Sequence, residues 1–503
     1  MNLQKRIVII LLSLTLLALV AQAKTISTNV FYHENILGTS LSIKVVATPA
    51  EAEKAEAAVL AEIARNSKIL STYDTKSEVS QWLKTSHEPI RVSPELFAVL
   101  NLFDQWKLRS NGALDASAEV VSRLWKTTAK QNRVPTAEEI SAAIFELKQT
   151  HWQLDANSQT ATHLSNAPLI LNSFVKSYII NRATDAAFSA AKINAVVVNI
   201  GGDLVVRGTL TEAVDIADPL SDAENSEALT RLLIGNKAVA TSGNYRRGIH
   251  IGNEWFSHIV DPRTGFPVNQ IISATVVAPN ATDAGALATA FSVLTPHESL
   301  GLAATLPGVE CLLITKDGNQ ISSKGWNSLV APSKPLAINA PLPTAPPVDA
   351  WDASFELGIN FELSAINDRG YRRPYVAVWV EDKDRFPVRT VALWYQKPRW
   401  LPDLKAWSRG DRMRSMAEGT DLTRSVSSAT RQAGKYSLKW DGKDNQGKFV
   451  KPGKYTVYIE AAREHGTYQL IRQEIDSRSG VKQFSFPGNT EIASASMDYR
   501  KKK

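Results

Sequence analysis

One cysteine, Cys311, stands in a chain of 503 residues, so no intrachain disulfide can form and cysteine-based metal sites are excluded. Its neighbours, Val309, Glu310, Leu312 and Leu313, suit packing better than chemistry. Long apolar runs are missing too, with one exception near the start, Ile7 to Val20, and that run is shorter than the ~20 residues a spanning helix needs. Charge of one sign is hardly in excess. The net charge is +7, and Lys5, Arg6, Arg500, Lys501, Lys502 and Lys503 at the two ends account for all but one unit of it. The body of the chain is close to neutral, which argues against nucleic acid as a partner. A phosphate loop, an H-E-x-x-H metal helix, a nucleophile elbow and a dinucleotide fingerprint are all lacking. At 44% hydrophobic and 21% charged residues, the composition excludes collagen, wholesale disorder and a polytopic membrane protein.

What is present divides the chain into parts. Lys5 and Arg6, the apolar run and Ala21-Gln22-Ala23 form the three regions of a secretory signal, residues 1–23, with cleavage expected after Ala23. The mature protein is then expected to be exported and periplasmic. Six prolines between Pro332 and Pro347 mark a stiff linker, 332–348. It separates a region 24–331 from a region 349–503. In the first, Ala50–Thr72 reads as an amphipathic helix, and Ser93-Pro94-Glu95 as the start of another that ends near Asn111-Gly112. Ala195–Ile200 and Ala274–Ala278 read as strands, and Asp283–Leu294 as a small-residue helix. Interleaved helices and strands predict an α+β layered domain. In the second region, Tyr375–Val380, Val391–Tyr395 and Tyr455–Ile459 are strand-like and separated by turns, which predicts an antiparallel β-sandwich. Asp441–Gly447 resembles a calcium loop only faintly: the closing position holds Pro452, and a turn is the better reading.

Several short motifs carry polar or glycine-rich chemistry. His258-Ile259-Val260-Asp261-Pro262-Arg263-Thr264-Gly265 places an imidazole, a carboxylate and a guanidinium within eight residues. Histidine is the usual proton acceptor near neutral pH, and arginine the usual fork for phosphate. A hairpin loop with a capping aspartate is the other reading of the same residues. Asn199-Ile200-Gly201-Gly202-Asp203 follows a strand, where paired glycines let a ligand approach the backbone or simply turn the chain. Gly112-Ala113-Leu114-Asp115 and Thr241-Ser242-Gly243-Asn244-Tyr245 are loops of the same kind.

Taken in order, these pieces resemble the ApbE-type FAD:protein FMN transferases. The likeness runs from Leu37-Gly38-Thr39 through Ser71-Thr72-Tyr73, the 112–115 loop, Val175-Lys176-Ser177-Tyr178, the 199–203 turn, the 241–245 loop and the 258–265 loop to Ala286–Ala290. The resemblance implies a flavin-transferase-like α+β domain followed by the β-sandwich, which is similar to an uncharacterised β domain fused to this family. It implies transfer of FMN from FAD to a Ser or Thr hydroxyl of an exported flavoprotein, with Mg²⁺ and release of AMP. The only membrane tie it implies is a membrane-bound acceptor. By likeness of position, FAD would meet Leu37, Tyr73, Ala113, Leu114, Asp115, Asn172, Lys176, Tyr178 and Ile259, and His258 would be the base. The metal would be held at the Val175 carbonyl and at Ala288–Thr289. One position departs: where the family carries an aspartate four residues before the threonine, this chain has Gly285. An aspartate there is expected to face the metal one helical turn from Thr289 and to be tolerated by the fold. The departure leaves a second function open, a non-catalytic flavin-binding or assembly protein.

Overall fold

The computed structural model describes residues 25–502 apart from 222, 224, 227, 245–247, 333–349, 367–370, 397, 420–421, 423–426, 429 and 465. The export signal, all of the linker but Pro332, and Tyr245 lie outside the described residues. The chain forms two compact units. One comprises residues up to Phe31, Ser42–Val214 and Arg231–Ala331. The other begins at Pro332 and also takes in Tyr32–Leu41 and Asp215–Thr230, two excursions that the proline-rich boundary does not foreshadow.

The first unit is built on an eight-stranded sheet. Its strands run in the order Ser27–Ile36, Thr39–Ala47, Ala195–Ile200, Asp203–Gly208, Ala238–Gly243, Ile271–Ala278, Glu310–Thr315 and Gln320–Ser322. The pairings from Ala195–Ile200 onward are antiparallel, as in Ala195 opposite Gly208 and Ala238 opposite Ala278. Val196, Val198 and Ile200 are fully buried, which is why this segment is β-branched and carries no charge. Helices Pro49–Leu70, Val175–Ala190 and Ala281–Val293 pack together with the sheet. The first is capped by the Thr48 hydroxyl and buries Ala52, Ala55, Val59, Ile63 and Leu70 at helical spacing. Ala281–Val293 is capped by Asn280 and buried on nearly every side, with small residues such as Ala284, Gly285, Ala286 and Ala288 beside the large buried Leu287 and Phe291. Cys311 is fully buried in its strand, as its apolar neighbours suggest.

The second unit is a sandwich of two sheets. One orders Gly434–Trp440, Phe355–Leu363, Ile492–Lys501 and Lys482–Pro487; the other orders Ser427–Ser428, Pro387–Trp394, Tyr375–Glu381, Lys454–Ala462 and Tyr468–Asp476. Leu357, Ile359 and Phe361 of the first sheet and Val376, Val378, Val457 and Ile459 of the second share one core. All the pairings are antiparallel except Ser427–Ser428 beside Pro387–Trp394. The five-stranded sheet is also covered on its outer face, where Trp379, Leu393 and Tyr375 meet Leu404 and Trp407. Trp407 belongs to a helix, Lys405–Glu418, that the sequence reading left out. The Glu460 carboxylate caps its start, accepting from the backbone N–H groups of Ala406 and Trp407 at 2.8 Å each, and burial holds this carboxyl above its usual range. The Asp441–Gly447 stretch is a turn, closed by the N–H groups of Gln446 and Lys448 on the Asp444 carboxylate.

Candidate active site

The motif residues of the first unit lie on loops and first turns that fall into two clusters. Helix Pro94–Arg109 ends at Ser110, and Asn111 and Gly112 then take left-handed backbone, turning the chain into the 112–115 loop. The N–H of Leu114 donates to the Ser110 hydroxyl at 3.0 Å, fixing Ala113 and Leu114 as buried residues. Asp115 is buried. Its carboxylate accepts from the Ser117 N–H and hydroxyl and lies 2.7 Å from the Lys107 ammonium. Its three partners fasten the loop.

The base loop follows strand Glu254–Ser257. His258 is exposed, Ile259 is half-buried, and Val260 and Asp261 are buried. The Ile259 N–H donates to the Ser257 hydroxyl at 3.0 Å, and the Val268 N–H to the Ile259 carbonyl at 2.9 Å. Arg263 is not a fork left open for phosphate. Its guanidinium donates to both Asp261 oxygens, at 2.9–3.2 Å, and to Glu298 at 3.0 Å. Its hydrogen bonds to the Asp261 carboxylate hold the guanidinium above its ordinary value. Arginine serves here as a clamp because Asp261 sits two residues away on the same turn. The 112–115 loop adjoins it: a Cβ on Gly112 would lie 3.6 Å from the Arg263 Cγ. A cavity of about 800 Å³, walled by Trp125, Trp255, Phe256 and Phe266, reaches Ser257, the residue before His258.

A second cluster forms around helix Val175–Ala190. Its N-cap residue, Phe174, offers no side-chain acceptor to the N–H groups of the first turn. Lys176 on that turn lies 3.2 Å from an Asp203 oxygen, and the buried Ser177 hydroxyl donates to the same oxygen at 2.9 Å. Asp203 arrives there because Gly201 and Gly202 adopt positive φ and close a two-residue hairpin, with Ile200 opposite Asp203. Asn172 donates to the hydroxyl of the exposed Tyr73 at 2.7 Å. Tyr178 is half-buried, and burial raises its phenol above the usual value. The Ile170 N–H donates to the Ala116 carbonyl at 2.9 Å, tying this cluster to the 112–115 loop. Leu37 occupies a tight turn with Gly38, both at positive φ, in the segment that belongs to the second unit.

The residues expected to hold a metal are Val175, which opens that helix, Ala288, which is buried, and Thr289, whose hydroxyl donates to the Ser173 carbonyl at 2.9 Å. The expectation that an aspartate at 285 would be tolerated does not hold. Gly285 faces helix Val175–Ala190, and a Cβ there would stand 2.3 Å from the Ser177 Oγ and 2.7 Å from its Cβ. No group of three or more His, Cys, Asp or Glu suited to a metal occurs among the described residues. The residues present do not fit a magnesium cage, which needs hard anionic oxygens. The motifs alone assign Asp203 and Ser177 no role; the glycine pair before Asp203 is the signal that marks it.

Both regions of the chain are similar to known families. The ApbE family model matches residues 37–313, and the model for a predicted periplasmic protein, DUF2271, matches residues 356–494. The chain is 27% identical over 303 residues to the FAD:protein FMN transferase of Vibrio cholerae serotype O1, a match covering 58% of this chain and 90% of that one. It is 27% identical over 318 residues to the FAD:protein FMN transferase of Haemophilus influenzae, with 59% and 88% covered. The ApbE protein of Thermotoga maritima superposes with a TM-score of 0.55 at 24% identity, over 61% of this chain and 100% of that one. The apo flavinyl transferase ApbE of Pseudomonas stutzeri gives 0.51 at 23% identity, over 61% and 98%. At these identities the solved structures speak for the fold alone.

Proposed function

The chain belongs to the ApbE family, and from that premise we propose that it transfers the FMN part of FAD to a Ser or Thr hydroxyl of an exported flavoprotein, releasing AMP. The acceptor oxygen attacks the phosphorus of the FMN half, the bond from that phosphorus to the oxygen bridging to AMP breaks, and the hydroxyl proton passes to His258. Such a transfer is mostly positioning and charge neutralisation. His258 is suited to the proton because its side chain is exposed while its loop is clamped by Asp261, Arg263 and Glu298. The uncapped start of helix Val175–Ala190 and the Lys176 ammonium supply positive charge for a diphosphate. Asn172, Tyr73, Tyr178, Ile259 and the 113–115 loop are the proposed FAD contacts, all in the first unit. No step is routed through a metal, because the donor set at Val175, Ala288 and Thr289 lacks a carboxylate.

The observation that carries the reading is the exposed histidine on a clamped loop, beside an aromatic-walled cavity and next to the 112–115 loop. The similarity of residues 356–494 to a predicted periplasmic protein and the signal-like first 23 residues support action outside the cytoplasm. The crowding at Gly285 favours one second reading, flavin binding without transfer. The test is to incubate the purified protein with FAD and an extract of exported proteins. Transfer gives a flavin-fluorescent acceptor band that survives denaturing electrophoresis. Binding alone gives flavin that is lost on denaturation.

A further inference from the structure

We propose that this site takes FAD without a divalent cation, the diphosphate charge being met by the Lys176 ammonium and the open first turn of helix Val175–Ala190. The inference rests on the flavin-transferase reading and adds how its charge is balanced. It starts from space. Gly285 on helix Ala281–Val293 is the point where that helix meets Val175–Ala190, and the would-be Cβ lies within 2.3–2.7 Å of Ser177 side-chain atoms and 3.6 Å from the Phe174 Cα. The volume that a carboxylate would need at this position is filled by the serine. The Ser177 Oγ can rotate, but its Cβ cannot leave without moving the helix.

Charge is balanced from within the chain. Among the described residues, Asp203 is the carboxylate bonded to Ser177, and its Oδ2 is shared by the Ser177 hydroxyl and the Lys176 ammonium. A divalent ion drawn to Asp203 would have to displace a lysine already paired there, and would otherwise depend on waters and the phosphates of FAD itself to complete its octahedron. Thr289 and the Ser173 carbonyl satisfy one another at 2.9 Å. Lys176 itself is one-third exposed, so its ammonium can be shared between Asp203 and an incoming phosphate. The helix start adds backbone N–H groups to which the N-cap residue, Phe174, offers no side-chain acceptor.

Calorimetric titration tests this directly, with FAD added to the mature protein in EDTA and again in Mg²⁺, and with Mg²⁺ alone. The expected result is an FAD affinity equal in the two buffers within about twofold, no saturable Mg²⁺ binding to the wild type, and about tenfold weaker FAD binding by Lys176→Met. The double variant Ser177→Gly/Gly285→Asp, which clears the space and adds the carboxylate, is expected to gain saturable Mg²⁺ binding. An FAD affinity that falls tenfold in EDTA, or saturable Mg²⁺ binding by the wild type, would overturn the proposal. Both results are read on the wild type, so they decide the matter even if the double variant does not fold. FAD binding in neither buffer would sink the flavin reading instead, and the titration with Mg²⁺ alone would still decide whether the wild type holds the ion.

Discussion

Replacing Gly285 by alanine should destabilise the protein, although helix propensity alone argues the reverse. In the interior of an exposed helix the exchange gains about 1 kcal/mol. Here the added Cβ meets the Ser177 Oγ at 2.3 Å and its Cβ at 2.7 Å, both far inside van der Waals contact. The hydroxyl can turn aside only by giving up its bond to Asp203, and the Ser177 Cβ is fixed to the opposite helix. Overpacking of this kind costs about 1–3 kcal/mol, and the double obstruction puts it at the upper end. The net expectation is a loss of about 1–2 kcal/mol, or a fall in melting temperature of roughly 2–6 °C. Thermal unfolding followed by tryptophan fluorescence measures it. Ser177→Ala removes the nearer obstruction, so the alanine at 285 should cost less in that background, with a coupling of about 0.5–2 kcal/mol. A Gly285→Ala protein that melts higher than wild type, or strict additivity with Ser177→Ala, would refute the crowding and with it the reason the site lacks room for a carboxylate.

Four further outcomes are expected. His258→Ala should lower FMN transfer by about 10²–10⁴-fold while leaving FAD affinity nearly unchanged, as comparison of turnover with equilibrium binding will show. Cys311, whose thiol is pushed up to about 11 by burial, should react with a thiol reagent at pH 8 only after the protein is unfolded. The Glu298 carboxyl is held below its usual value by the Thr295 N–H, then by the Thr295 hydroxyl and Arg263, so its contribution is complete above the unfolded value of about 4.3 and is lost as pH falls through the lower folded one. The difference in melting temperature between wild type and Glu298→Gln should therefore be widest near neutrality and close on acidification; a gap that stays constant would contradict the clamp. A chain ended at Ala331 should keep the strands from Ala195–Ile200 to Gln320–Ser322, which lie wholly in the first unit, but should be cut by protease within Asp215–Thr230, a segment of the second unit that the full-length protein is expected to protect. Equal resistance of the two would show that this segment does not depend on the second unit.

The elements set by local rules were legible in the sequence. Ser93 and Pro94 start their helix where capping requires, and the β-branched run at 195–200 is a buried central strand. Helix Lys405–Glu418 was not legible because its pattern is polar. Arg414 is fully buried there, neutralised by Asp411 at 2.7 Å and Glu418 at 2.8 Å, and no reading of apolar periodicity finds a core position occupied by arginine. The two excursions into the second unit were hidden for another reason. Asn225 exchanges hydrogen bonds with the Lys439 backbone at 2.6 and 2.7 Å, and Arg373 donates to Asn35 at 2.6 Å, pairings between residues hundreds of positions apart. At the candidate site the motifs named loops, but not their internal bonding. Arg263 looked like a phosphate ligand until Asp261 and Glu298 were seen to occupy it. The missing aspartate at 285 was visible in the sequence, whereas the filled space beside it depends on how two helices cross.

The central claim is that this chain moves FMN from FAD to a protein hydroxyl. Its most direct measurement is chromatographic assay of AMP released from FAD by the purified protein, with and without exported acceptor protein, alongside His258→Ala. The account predicts AMP that appears only with acceptor, matches the flavin bound covalently to it mole for mole, and falls by at least about a hundredfold in the variant. AMP released without acceptor, or covalent flavin formed equally well by His258→Ala, would contradict it.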